Sequence, residues 1–185
     1  MRVIAGTARS IQLKTLEGLD TRPTTDRIKE TLFNILQMDI QGSNFIDLFS
    51  GSGAIGIEAL SRGAASCVLV DNSKKACECI RANLEKTRLK DKAMVMETDV
   101  ITALNRLNSK GTVYDIIFMD PPYSLGIEAL VLNNLANSYI IDEYYMVIIE
   151  AVKDRDFDFV EDCGFEVTRE KIYKTNKHVF LRKKG

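Results

Sequence analysis

Metal-binding side chains are scarce in this sequence. It has a single histidine, His178, and its four cysteines, Cys67, Cys77, Cys79 and Cys163, include no CxxC pair. No metal site is expected, and the thiols are expected to be reduced core or near-surface residues. No apolar run approaches the ~20 residues that a membrane-spanning helix needs, and the N-terminus does not resemble a secretory signal. A cytoplasmic protein without membrane attachment is the expectation. Excess charge is missing too: 25 Lys and Arg stand against 26 Asp and Glu, a net charge of −1. No global field draws the chain to nucleic acid, so an anionic partner must be met by local patches. Repeats, linkers and low-complexity stretches are also absent. The 185 residues suit one domain with a single sizeable core.

What is present centres on residues 45–60. Phe45-Ile46-Asp47-Leu48-Phe49 has the character of a buried strand, Ser50-Gly51-Ser52-Gly53 forms a turn, and helical spacing resumes through Ile55, Ala59 and Leu60. This is the strand, turn and helix of an α/β nucleotide-binding unit, and Gly51, Gly53 and Gly56 match GxGxxG literally. Asp47, four residues before the first glycine, argues against a pyrophosphate and so against an NAD-dependent oxidoreductase. A carboxylate there suits a ligand with ammonium and sulfonium charge, such as S-adenosylmethionine (SAM).

Two short strands, at 3–5 and 11–14, predict an N-terminal β-hairpin arm over residues 1–20, ahead of a core over 21–185. The arm carries Arg2, Arg9 and Lys14 and no acid before Glu17; it is either a solvated arm or an RNA-contacting one. Pro23 and its neighbouring threonines announce a helix with an apolar face of Ile28, Leu32, Ile35 and Leu36. Arg22 and Arg27 fall near its positive end, where cations gain nothing from the helix dipole, so an anionic neighbour is the better explanation. Further strands are expected at 67–70, 93–96, 114–119 and 145–150, alternating with helices at 73–88, around 104–107 and at 127–136. A short helix at 157–163 and a hairpin, 165–173 with 179–182, complete the chain. The architecture expected is one mostly parallel sheet covered on both faces, with a C-terminal antiparallel hairpin. The tail from Arg169 adds Lys171, Lys174, Lys177, Arg182, Lys183 and Lys184 against Glu170, a second basic cluster.

Asp47, Asp71, Asp99 and Asp120 all fall at or just past the carboxyl ends of successive strands, the edge along which open α/β sheets bind ligands. Asp71, fifteen residues beyond Gly56, is placed for ribose hydroxyls or for capping the next helix. Asp99 is placed for an adenine amine or for a cap. Asp120-Pro121-Pro122-Tyr123 follows a buried strand. Its prolines fix the backbone, so the Asp120 carboxylate and the Pro121 carbonyl can aim at one amine. Holding both hydrogens of a nucleobase amine turns its delocalised lone pair towards an electrophile. Tyr123 offers a stacking face beside Pro122, and stacking is worth ~1–3 kcal/mol per base.

The chain resembles the bacterial 16S rRNA (guanine-N2)-methyltransferases of the RsmD type. The resemblance runs from Arg2-Val3-Ile4-Ala5-Gly6 through Arg22-Pro23-Thr24-Thr25-Asp26-Arg27, Asp47 to Gly53, and Glu58-Ala59-Leu60-Ser61-Arg62-Gly63-Ala64, to Asp120-Pro121-Pro122-Tyr123. It implies a Rossmann-like class I SAM-dependent methyltransferase acting on one guanine of 16S rRNA within an assembling small subunit. Asp47, Ser50, Gly51, Gly53, Asp71 and Asp99 would hold SAM; Asp120, Pro121 and Tyr123 would act on the amine; Arg2, Arg9, Arg22, Arg27 and Pro122 would meet RNA. Asp71 stands where the family usually has glutamate, and Tyr173-Lys174 where it often has Tyr-Gly. Adenine-N6 methylation of DNA uses the same four-residue motif and is the alternative within the class, although this length leaves no room for a large target-recognition domain. A catalytically silent nucleic-acid-binding module is the remaining alternative.

Overall fold

A computed structural model describes residues 1–16, 26–122, 126–142 and 144–184. The expected roles of Arg22 and Tyr123 lie outside the described residues. Seven strands form one sheet: β1 (Asn44–Asp47), β2 (Ser66–Asp71), β3 (Ala93–Glu97), β4 (Ile116–Met119), β5 (Met146–Val152), β6 (Phe165–Ile172) and β7 (Asn176–Lys183). Their spatial order is β3-β2-β1-β4-β5-β7-β6. β1 to β5 run parallel, while β7 is antiparallel to both β5 and β6. The strand order reverses between β1 and β4, the switch point at which such sheets open a ligand crevice.

Apolar residues cover both faces. Ile46, Leu48, Val68, Ile117 and Ile149 pack under α4 (Val100–Asn108), α5 (Ile127–Ala136) and α6 (Phe159–Asp162). Phe45, Leu69, Phe118, Ile148 and Phe180 pack under α1 (Asp26–Ile35), α2 (Ala54–Ser61) and α3 (Lys74–Thr87). This two-sided burial explains why the inner strands are continuous apolar runs. Gly56 lets α2 lie close to β2, since a Cβ there would fall 2.8 Å from both Cys67 Sγ and Leu69 Cδ2. β6 is the outer strand, exposed along most of its length and interrupted by a register shift between Val167 and Arg169.

Three expectations need adjustment. The arm does double back as a hairpin, with Val3 N–H donating to Ile11 O and Leu13 N–H to Met1 O around the Arg2 to Gln12 bridge, but the paired stretch is shorter than the two expected strands. α2 takes the donors that follow the paired stretch: Ile4 and Ala5 N–H donate to the Glu58 carboxylate, and Thr7 N–H to Ser61 O. The buried face of α1 takes in Lys29 and Phe33 beside the expected Leu32, while Ile35 is half-buried against the same core and Ile28 is half-buried; Lys29 can lie there because its Nζ reaches Glu58 Oε2 at 3.0 Å with both side chains fully buried. β7 begins three residues before the expected 179, because Asn176, Lys177 and His178 pair with Val152, Ala151 and Glu150.

Candidate active site

Asp47 is the last residue of β1 and is 1% exposed. Its Oδ2 accepts from Gly56 N–H at 3.2 Å, and its Oδ1 has no hydrogen-bond partner. Ser50 Oγ donates to Asp47 O, and Gly53 N–H donates to Ser50 O at 2.7 Å, closing the turn. Gly51 and Gly53 take φ of 53° and 78°, a left-handed conformation that disfavours other residues. Asp71 ends β2, with Oδ2 accepting from Gly51 N–H at 2.9 Å and Oδ1 from Ser73 N–H at 2.8 Å. It thus braces the glycine turn, and each oxygen keeps a further lone pair for a ribose hydroxyl. Ser73, not Asp71, caps α3. Asp99 caps α4 by accepting from Thr102 N–H at 2.9 Å, and that bond holds its carboxyl below the usual range.

These residues meet in one cavity of about 800 Å³. It is lined by Asp47, Ser50, Gly51, Asp71, Asp99, Asp120 and Pro122, with Phe49, Val100, Ile101, Phe118, Ile127 and Leu130 supplying apolar walls. Gly53 and Pro121 are not part of the lining; Pro121 is buried behind Pro122. Burial, reinforced by the charge of Asp71, pushes the Asp47 carboxyl up to about 7 against the pull of the Gly56 N–H. Burial, then the charges of Glu150 and Asp47, raises Asp120 to about 8. Such a cavity repels phosphate and stabilises a bound cation. The unpartnered Asp47 Oδ1, the left-handed glycine turn and the apolar walls therefore fit SAM.

The arginines sit elsewhere. Arg2, Arg9 and Arg27 are exposed, and none lines the cavity; Arg2 Nε lies 3.5 Å from Asp26 Oδ2. The arm borders the cavity through Met1, Thr15 and Leu16 instead. The C-terminal basic cluster is not one patch. Lys177 pairs with Glu170 and Lys184 with Glu161, and Lys183 Nζ donates to Ala136 O. Arg182 lines a hollow of about 250 Å³ at the opposite edge of the sheet, with Asp39 and Asp115. Lys174 lies in the β6–β7 turn, which is tied to the end of β5 by Lys153 N–H to Thr175 O and so faces the cavity edge.

Several residues escaped sequence reasoning. Asn83, fully buried on α3, donates to Ser52 O at 2.9 Å and to Lys14 O at 3.0 Å, and accepts from Lys14 N–H. It ties the arm to the glycine turn, and no motif marks it. Glu150 and His178 are buried beside the site; the signal for Glu150 was a carboxylate in an otherwise apolar strand, and His178 stands in a strand that also carries Asn176, Lys177, Arg182 and Lys183.

A family model described as conserved hypothetical protein 95 matches residues 1–182. The chain is 37% identical to YlbH of Bacillus subtilis strain 168 over 191 residues, covering 100% of each protein. It is 34% identical over 173 residues to ribosomal RNA small subunit methyltransferase D of Escherichia coli K12, covering 93% of this chain and 84% of that one. Among solved structures, yhhF of Escherichia coli superposes with a TM-score of 0.86 at 30% identity, over 100% of this chain and 98% of the other. SMU.776, solved in complex with SAH, shares the fold with a TM-score of 0.65 at 17% identity, over 84% of this chain and 48% of the other.

Proposed function

This chain belongs to the conserved hypothetical protein 95 family, that of the ribosomal RNA small subunit methyltransferase D proteins, and we propose that it transfers a methyl group from SAM to the exocyclic N2 amine of a guanine in 16S rRNA within an assembling small subunit. SAM, when bound, supplies an electrophilic methyl group on a positively charged sulfur. Asp47 and the Ser50, Gly51 and Gly53 turn hold its methionine end, Asp71 its ribose and Asp99 its adenine. Asp120 and the Pro121 carbonyl take the two amine hydrogens, while Tyr123 and Pro122 flank the base. The arm, with Arg2, Arg9 and Arg27, and the Arg22 segment meet the RNA backbone.

One observation carries this assignment: Asp47 and Asp120, from the two strands flanking the switch point, converge on one cavity with their carboxyls pushed up by burial. Positioning in such a cavity can supply ~7–11 kcal/mol of rate acceleration. The test is methyl transfer from labelled SAM to naked 16S rRNA, immature small subunits and DNA side by side, with the product nucleoside identified by mass spectrometry. N2-methylguanosine is expected, with immature subunits the better substrate. N6-methyladenine in DNA, or no transfer to any RNA, would overturn the reading.

A further inference from the structure

The single histidine stands in a hydrogen-bonded chain behind Asp120. His178 is fully buried on β7; its Nε2 lies 3.1 Å from Glu150 Oε2 and its Nδ1 3.0 Å from Tyr173 Oη. A carboxylate only accepts, so the Nε2–H donates to Glu150, while Nδ1 and the Tyr173 hydroxyl share the second hydrogen bond. Glu150 Oε1 accepts from Asn176 Nδ2 at 2.6 Å. Both carboxylate oxygens are thus held, and the tyrosine that stands next to Lys174 is occupied by the histidine.

Register brings this assembly to the active site. Met119 of β4 pairs with Ile149 of β5, so Asp120, the residue just past the end of β4, lies beside Glu150 of β5 on one sheet face. Phe118 and His178 touch on that same face, with ring centroids 6.1 Å apart. Neighbouring strands lie ~4.8 Å apart. Two buried carboxylates at that spacing repel, and the repulsion disappears when one takes a proton. Glu150 is held by two donors. Asp120 has the cavity beside it.

We propose that Glu150, fixed by His178 and Asn176, is a positioning residue that makes Asp120 the acceptor of the proton shed by the methylated amine. This rests on the reading of Asp120 as the amine's partner. An N–H proton leaves the cationic, newly methylated nitrogen for an Oδ of Asp120, and the N–H bonding pair returns to nitrogen. Asp120 becomes neutral beside a charged Glu150 and later releases the proton to water. The other titratable groups facing Asp120 among the described residues are Asp47 from β1, His178 from β7 and, through His178, Tyr173. Burial, and then the charge of Glu150, pushes Tyr173 up to about 12, so it keeps its proton throughout.

The test compares wild type with Glu150→Gln, which keeps shape and removes charge. Carboxyl-carbon NMR on the full-length protein without SAM follows the Asp120 titration, assigned by its loss in Asp120→Asn. The midpoint is expected to fall by about one pH unit or more in Glu150→Gln. The acidic limb of the single-turnover rate should move the same way, and the plateau should fall several-fold as the acceptor weakens. SAM affinity should change by no more than a few-fold. An Asp120 midpoint equal in the two proteins would overturn the inference. Should the substitution unfold the chain, the wild-type titration decides: a midpoint near the ordinary ~3.9 refutes it. Normal methyl transfer by Asp120→Asn would instead refute the role of Asp120 itself, and is told apart because the NMR midpoints do not depend on activity.

Discussion

Removing the Glu58 carboxylate should loosen the N-terminal arm and cost much of the protein's stability. Glu58 is fully buried and accepts from Ile4 N–H at 2.8 Å, Ala5 N–H at 3.0 Å and Arg62 Nε at 2.8 Å, besides its contact with Lys29 Nζ. Lys29 has no exposed surface; burial lowers its pKa, and Glu58 is the main charge opposing that shift. Taking one partner from a buried pair costs ~3–5 kcal/mol because the other is left uncompensated. For a domain of this size each kcal/mol lowers Tm by ~2–4 °C, so Glu58→Ala should melt ~6–20 °C lower by circular dichroism. Lys29→Met combined with Glu58→Leu should recover most of the loss, since a well-packed apolar pair is often neutral or better. In either variant Ile4 and Ala5 lose their acceptor while Ser61 and Asn83 still hold the arm, so RNA binding is expected to weaken in both. A Tm within ~3 °C of wild type for Glu58→Ala would refute the reasoning, because it would mean that the Arg2 carbonyl, 2.6 Å from Lys29 Nζ, satisfies the buried ammonium without a charged partner.

Asp120→Ala should bind SAM almost normally in calorimetry while methyl transfer falls by roughly two orders of magnitude or more, the scale for one lost charge-stabilising group. Tyr123→Phe should stay active and Tyr123→Ala should not; equal loss in both would exclude a stacking role. Asp71→Ala should weaken SAM by ~1–3 kcal/mol, as for a hydrogen bond to a charged acceptor, and unchanged affinity would reduce Asp71 to a brace for the turn. Folding raises Asp47 from an ordinary ~3.9 to about 7. Its contribution to stability is therefore full below pH ~4 and is lost as pH rises through 7. A cationic ligand needs the ionised form, so SAM affinity should rise ~10-fold between pH 6 and 8, and Asp47→Asn should flatten the curve. A wild-type profile already flat would show that Asp47 does not meet the ligand's charge.

The sheet was legible because its inner strands are apolar on both faces and its turns carry glycine where φ is positive. The four acids were legible because a strand end is a fixed address in this architecture. What the sequence concealed were partnerships across distance. Lys29 occupies a helical position that its type alone assigns to solvent, and only Glu58, on another helix, reverses that. The arm's hairpin pairing was legible, but alternation says nothing of which of its remaining donors a neighbouring helix will take. The lysines and arginines at the C-terminus looked like one cluster because they are close in sequence, but β7 carries Arg182 and Lys183 to the far edge from Lys174. Asn83 and the Glu150–His178 pair depend on register, which a single strand does not encode.

A sheet that opens at one end must also not grow at the other. β6 is the last strand on its side and presents unpaired backbone groups to solvent. Its outward run of Glu166, Thr168, Arg169, Glu170 and Lys171, with the bulge after Val167, is the sort of edge that rejects a second copy of itself. Part of the basic character of the tail is accounted for in this way, as insulation against strand addition. A variant with Arg169, Glu170 and Lys171 replaced by β-branched apolar residues would keep its fold and its cavity, yet offer neighbouring molecules a template for self-association.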